Sequence, residues 1–259
     1  MPKSQKMGID QYAEFASAVG QSLPRDLVPE LAQHYITNRV ALAEALRNGL
    51  VPMEDQPAIF PQQRDMVLGY FFTPLLDADL PERYKAIVAM YRQEATAQGM
   101  PITHPVCYRV RAGFTQRQHA PLAGPCYKKF EYLNDWNFTD KPTEDSYVFW
   151  IPGVLKGSTS MSVDRQRQFL AETRIRLGLP DHHMSGLGEV ALVAGLVLAH
   201  FKATGERISL VLRTNTRDSD GHRLCLLWCG GELYCDSWNY GVMPCYNVGV
   251  PALGVELGI

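Results

Sequence analysis

Four of the six cysteines fall in one stretch, "RLCLLWCGGELYCDSWNYGVMPCYN" (223–247), at Cys225, Cys229, Cys235 and Cys245. Thiols gathered this closely could ligate zinc, form disulfides or act as a redox pair. Their C-x3-C-x5-C-x9-C spacing, with His222 just upstream, departs from the tight knuckles of structural zinc sites. The residues between them read as strands, and a three-residue loop with a bulge at Cys229-Gly230-Gly231 would set Trp228 opposite Glu232 and Cys225 opposite Cys235. Thiols facing each other across a ladder in a reducing compartment are most simply small apolar side chains. The expectation is a hairpin without a metal ligand or disulfide, and no cofactor is expected elsewhere.

Asp181-His182-His183 offers a second chemistry. The triplet resembles the DHH signature of phosphoesterases that bind two metal ions. In that family a D-x-D element on an earlier strand precedes it. Here the comparable Asp218-Ser219-Asp220-Gly221 lies downstream and reads as a turn, so both elements are expected to be surface loops.

"GLGEVA" (186–191) matches a dinucleotide-binding turn at the opening of a helix. The strand that such a turn requires is missing before it, so Ser185 is read as an N-cap and the glycines as close packing. Residues 30–46 have the outline of a helix-turn-helix, but Ile36 stands at the turn and the second helix is mostly Ala, Leu and Glu. Arg109, Arg111, Arg117, Lys128 and Lys129, with Tyr108, Phe114, Tyr127 and Phe130 between them, could follow a single-stranded nucleic acid. The acids nearby, and those beside Arg165, Arg167, Arg174 and Arg176, make solvated faces the simpler reading.

For nucleophilic catalysis the chain has neither a G-x-S-x-G elbow nor an H-E-x-x-H helix. Cys107 and Cys126 flank His104 and His119 without an ordered dyad, and His200 sits in an apolar run as a core residue. No catalytic residue is assigned. A site assembled from distant residues stays open.

The elements that must position these groups follow from periodicity. Residues 1–50 read as three short helices ending near Gly20, before Asn38 and at Gly49. A Pro/Gln-rich linker spans 51–65, and the main domain spans 66–259. "MVLGYFF" (66–72) reads as a buried strand. A helix follows over 79–98, with Asp79 and Glu82 as a capping box and a stripe of Leu80, Tyr84, Ile87, Val88, Tyr91 and Ala95. "VCYRVRA", "YKKFEYL" and "SYVFWIP" read as strands, the last of them central. Helices are expected over 162–177 and 186–204, the second apolar on every side and therefore buried. "RISLVLRTN", "HRLCLLW" and "ELYCDSW" close the chain as strands. Helices and strands in blocks predict an α+β fold with a mixed, largely antiparallel sheet.

The last quarter, with "LAHFKATGERISL", "RDSDGHRLCLLW" and "PALGVELGI", resembles proteins of bacterial genomes that carry no assigned activity. That resemblance implies a bacterial or phage origin and transfers no residue role.

A 46% hydrophobic, 20% charged chain of net charge −2 can build an ordinary core and lacks the bulk charge of a nucleic-acid binder. The N-terminus has no apolar signal-like run, which predicts a soluble cytoplasmic protein in which the sequon at Asn137 has no meaning. The leading expectation is a non-enzymatic structural or interaction protein that self-associates into a homo-oligomer, with a further protein partner open and no membrane contact. A metal- or thiol-dependent hydrolase or nuclease is the alternative. A nucleic-acid-binding module ranks third.

Overall fold

Two four-stranded sheets share one apolar helix. The computed structural model describes residues 61–100, 105–136, 140–209, 211–238 and 248–257. All of them belong to one of the two units into which the chain divides, Ile59–Ile259. The expected three-helix segment, the helix-turn-helix outline, His104, the sequon and Cys245 lie outside the described residues.

The first sheet has the order β1 (Phe72–Leu75), β2 (Cys107–Val110), β3 (Ser146–Ile151), β8 (Ala252–Leu257), and every pairing in it is antiparallel. The second has the order β6 (Glu232–Trp238), β5 (Arg223–Cys229), β4 (Val211–Arg217), β7 (Val248–Gly249), with a parallel pairing only between β4 and β7. Between them runs α5 (Val190–Thr204), buried at every residue from Val190 to His200. Its core contains Phe72, Tyr108, Val148, Trp150 and Leu253 of the first sheet with Leu212, Leu224, Leu226, Leu233 and Cys235 of the second. A helix covered on all sides must be apolar all round, as this one is. Gly195 is required where the Phe72 ring meets it, since a Cβ there would stand 2.0 Å from Cζ. The α+β expectation with mostly antiparallel sheets therefore holds for the described residues.

The other face of the first sheet is covered by α2 (Glu82–Ala97) and α4 (Val163–Leu177), through Tyr84, Val88, Tyr91, Phe149, Ile151 and Leu170. This double cover explains why neighbours on opposite faces of β2, Cys107 and Tyr108, are both buried; within the strand Arg109 alone is exposed. α4 starts at Ser162, whose hydroxyl accepts from Arg165 N, and ends at Gly178 in the left-handed region, as its sequence signals indicate.

Five local expectations are corrected. The run at 66–72 is not a strand as a whole: α1 (Pro61–Phe71) continues to Phe71, and only Phe72 belongs to a strand, as the first residue of β1. A short, wholly apolar run does not distinguish the two periods. Asp79 does not cap α2. Pro81 occupies the boundary with φ −52 and ψ 139, and a proline holds its predecessor out of the helical region. Glu82 pairs instead with Lys85 at 2.6 Å.

"YKKFEYL" is not a strand either. It lies within Tyr127–Asp135, a run of tight turns that follows the short helix α3 (Ala120–Ala123). Lys128, Lys129 and Phe130 there have φ of 45, 49 and 58, and Phe130 and Leu133 point inward three residues apart. α5 opens at Val190, not Gly186; the Ser185 hydroxyl donates to His182 O and caps nothing.

The β5–β6 hairpin is out of the expected register by one residue. Gly230 and Gly231, with φ of 58 and 95, form a two-residue turn, so Cys229 faces Glu232, Leu226 faces Cys235 and Cys225 faces Asp236. Two positive-φ residues suit the primed turns that match strand twist, which a Gly-Gly pair favours over a bulged loop. A one-residue slip exchanges the faces of a strand. Cys235 thus joins the α5 core, while Cys225 packs with Val211 and Val248 on the opposite face.

Candidate functional site

Among the described residues no two cysteines are bonded, and no group of metal-ligating side chains contains a cysteine. Burial pushes the Cys107 thiol up to about 12 and raises Cys235 further, so neither is a ready thiolate. The dinucleotide-like glycines have no strand before them. His119 accepts from Thr115 N, and His200 packs edge-on to Trp150. The basic groups are distributed: Arg111 lies over Tyr70, Lys128 over Tyr127, Arg174 pairs with Asp181 and Arg176 with Glu94. Asp218, Asp220 and His222 do gather, but Asp218 Oδ1 accepts from the backbone nitrogens of both Asp220 and His222, the bonding of a closed turn.

The DHH triplet is where side chains converge. Proline at 180 ends the chain's course from α4, and His183 then forms an antiparallel bridge with Gly254 on the outer edge of β8. Met184 N donates to Leu253 O at 2.8 Å, so residues 183 and 184 follow the edge of that strand. Asp181 points to solvent and takes no part. His182 and His183 each place Nε2 at 3.2 Å from Glu256 Oε1. His183 is fully buried, His182 about half exposed and Glu256 one-fifth exposed.

Two tyrosines of α2 stand behind this trio. Tyr91 Oη lies 3.1 Å from His183 Nδ1, and the Tyr84 hydroxyl donates to Glu256. They sit seven residues apart, hence on one helical face, which packs on Phe149 and Tyr147 of β3. Gly254 provides the room, because a Cβ there would stand 2.1 Å from His183 Nδ1 and 2.5 Å from Tyr91 Oη.

Burial holds the His183 pKa below the usual imidazole value, against the pull of Glu256, so the ring is neutral at pH 7. Glu256 is held below the usual carboxylate range: its bonds from His183, Tyr84 and His182 outweigh the burial that opposes them. Desolvation raises Tyr91 well above the usual phenol value and Tyr84 to about 12, so both keep their protons.

Alternation along β8 sends Gly254 and Glu256 toward α2 and Leu253, Val255 and Leu257 the other way, into a cleft of about 320 Å³. His182, at the strand edge, lines the cleft with Ser185, Glu189, Asn215, Lys141 and Glu144. The Thr216 hydroxyl donates to Glu189 at 2.7 Å, and Lys141 pairs with Glu144 at 3.3 Å.

The sequence reading placed Asp181, His182 and His183 in a surface loop and kept them as metal residues only for the hydrolase alternative; the loop reading fails at His183, which is buried and bridged to β8, and Glu256, Tyr84 and Tyr91 were not foreseen. The available signal was one acid inside "PALGVELGI", an otherwise apolar strand. No protein-family model, curated protein or solved structure matches the chain.

Proposed function

We propose that the chain is a metal-dependent hydrolase that holds a zinc-like divalent ion between His182, His183 and Glu256. The observation that carries this reading is the convergence of two imidazole nitrogens and a carboxylate oxygen, all within 4.8 Å of one another. A tetrahedral ion with bonds of about 2.0–2.1 Å keeps its ligand atoms about 3.3 Å apart, and the two Nε2–Oε1 separations are 3.2 Å. Ligating histidines usually have a partner on the second ring nitrogen, a place Tyr91 fills for His183.

His182, His183 and Glu256 would hold the ion, which would supply a water able to ionise near neutral pH. His182, half exposed, is the member of the trio that lines the cleft, whose size suits a small substrate better than a folded polymer.

The test is metal content of the purified protein after dialysis against zinc, together with hydrolysis of chromogenic esters and phosphoesters. One equivalent per chain, lost in His182→Ala and Glu256→Gln along with any turnover, is expected. Unchanged metal content in both variants refutes the reading. Zinc without turnover would leave a structural ion and refute the hydrolase. A native mass showing a discrete oligomer, with no metal, would favour the self-associating alternative. For that alternative, the large exposed apolar side chains among the described residues are Leu76, Leu122, Ile175 and Leu257, each from a different part of the fold. None of the described helices is long and apolar enough to cross a membrane.

A further inference from the structure

The face of the second sheet turned away from α5 carries two buried arginines. Arg213 on β4 is 1% exposed; its Nη1 donates to Gln166 Oε1 at 2.6 Å, while Nη2 is buried without a hydrogen-bond partner. Gln166 is itself fixed, donating to Ser158 O and Val248 O, so it has only its oxygen to offer. Arg223 on β5 is 4% exposed; its Nη1 donates to Asn215 O at 3.0 Å, and Nε is buried without a partner.

Cys225 is the register partner of Arg213 and lies two residues from Arg223 on its own strand, so the two arginines are neighbours on one face. Burial lowers the Arg223 pKa to about 10, assisted by the charges of Arg217, Arg167 and Arg213. Asp164 opposes them at Arg223.

A guanidinium does not give up its charge at neutral pH, and burying one without an opposing charge is costly. Asp236, the cross-strand partner of Cys225, is a second acid on this face, and against these two carboxylates stand four guanidinium groups and two buried donor nitrogens without partners. We propose that Arg213 and Arg223 form a binding site for a phosphate-type oxyanion, with the exposed Arg167 and Arg217 at its entrance. A tetrahedral dianion offers acceptors to both donors and offsets more of the charge than a carboxylate does. The site shares no residue with the His182–His183–Glu256 cluster, so metal content is not a readout of it.

The experiment is thermal unfolding of the whole chain in inorganic phosphate, glycerol 3-phosphate, acetate and chloride at equal ionic strength. A saturable rise in Tm in phosphate beyond that in chloride is expected, with acetate acting like chloride. A matching rise in glycerol 3-phosphate identifies a phosphomonoester as the ligand, and its absence identifies free phosphate. Arg167→Gln, on the surface, should weaken the phosphate response about tenfold in concentration. Arg223→Met should abolish it; if that variant does not fold, Arg167→Gln alone decides. Phosphate acting no differently from chloride, or an unchanged response in Arg167→Gln, overturns the proposal.

Discussion

Replacing Gly254 by alanine tests the packing on which the candidate site rests. The added methyl would stand 2.1 Å from His183 Nδ1, 2.8 Å from Cε1 and 2.5 Å from Tyr91 Oη. Ordinary contact needs about 3.5 Å, so the imidazole must retreat by more than an ångström or the β3–β8 ladder must open. Neither group is the end of a flexible chain: His183 is fully buried and Tyr91 is locked under β3. Overpacking of this kind costs about 1–3 kcal/mol, and loss of the Tyr91–His183 hydrogen bond adds about 1 kcal/mol. The sum of about 2–4 kcal/mol corresponds to a fall in Tm of roughly 5–15 °C for a domain of this size. Thermal and urea unfolding measure it. Tyr91→Phe should remove part of the conflict, so Gly254→Ala should cost less in that background. Alanine ordinarily suits a strand better than glycine. A Gly254→Ala protein as stable as its parent, with the same metal content, would therefore refute the description of the site.

Gly195→Ala should destabilise by about 1–3 kcal/mol because its Cβ meets the Phe72 ring; Gly69→Ala in α1, with nothing within 4 Å, should stabilise by about 0.5–1 kcal/mol, and paired urea melts compare the two. Arg176→Ala leaves the buried Glu94 carboxylate without its cation and should cost about 2 kcal/mol, less than a fully buried pair because Arg176 is half exposed. Burial holds the His119 pKa below 6.5, so its contribution is complete above that pH and is lost as pH falls toward the folded value; unfolding curves between pH 7.5 and 5 should show a slope that His119→Gln reduces. Cys229 is exposed whereas Cys107, Cys126, Cys225 and Cys235 are buried, so Cys229→Ser should remove one rapidly labelled thiol in a native alkylation assay.

What the sequence made legible was whatever one element decides alone. The apolar run from Val190 to Ala199 implied a helix with neighbours on every side, and two sheets provide them. Ser162 and Gly178 marked the ends of α4 because capping depends on a few adjacent residues. Residues 66–72 and "YKKFEYL" were misread where apolar content or a short alternation fits both helical turns and strands. The hairpin register failed by one because a glycine pair admits both a two-residue turn and a bulged loop. The candidate site was the least legible part. His183 and Glu256 are 73 positions apart, and only the pairing of β8 with β3, beneath α2, brings them together.

The position of α5 also bears on how the protein comes apart. Trp150 of the first sheet meets His200 of this helix, and Trp228 of the second packs on Phe201, the next residue along it. The faces that the two sheets turn toward each other both pack on this helix, and the helix cannot leave one sheet without exposing the other. Partial opening that frees a single sheet is therefore disfavoured, and the two layers melt as one cooperative unit.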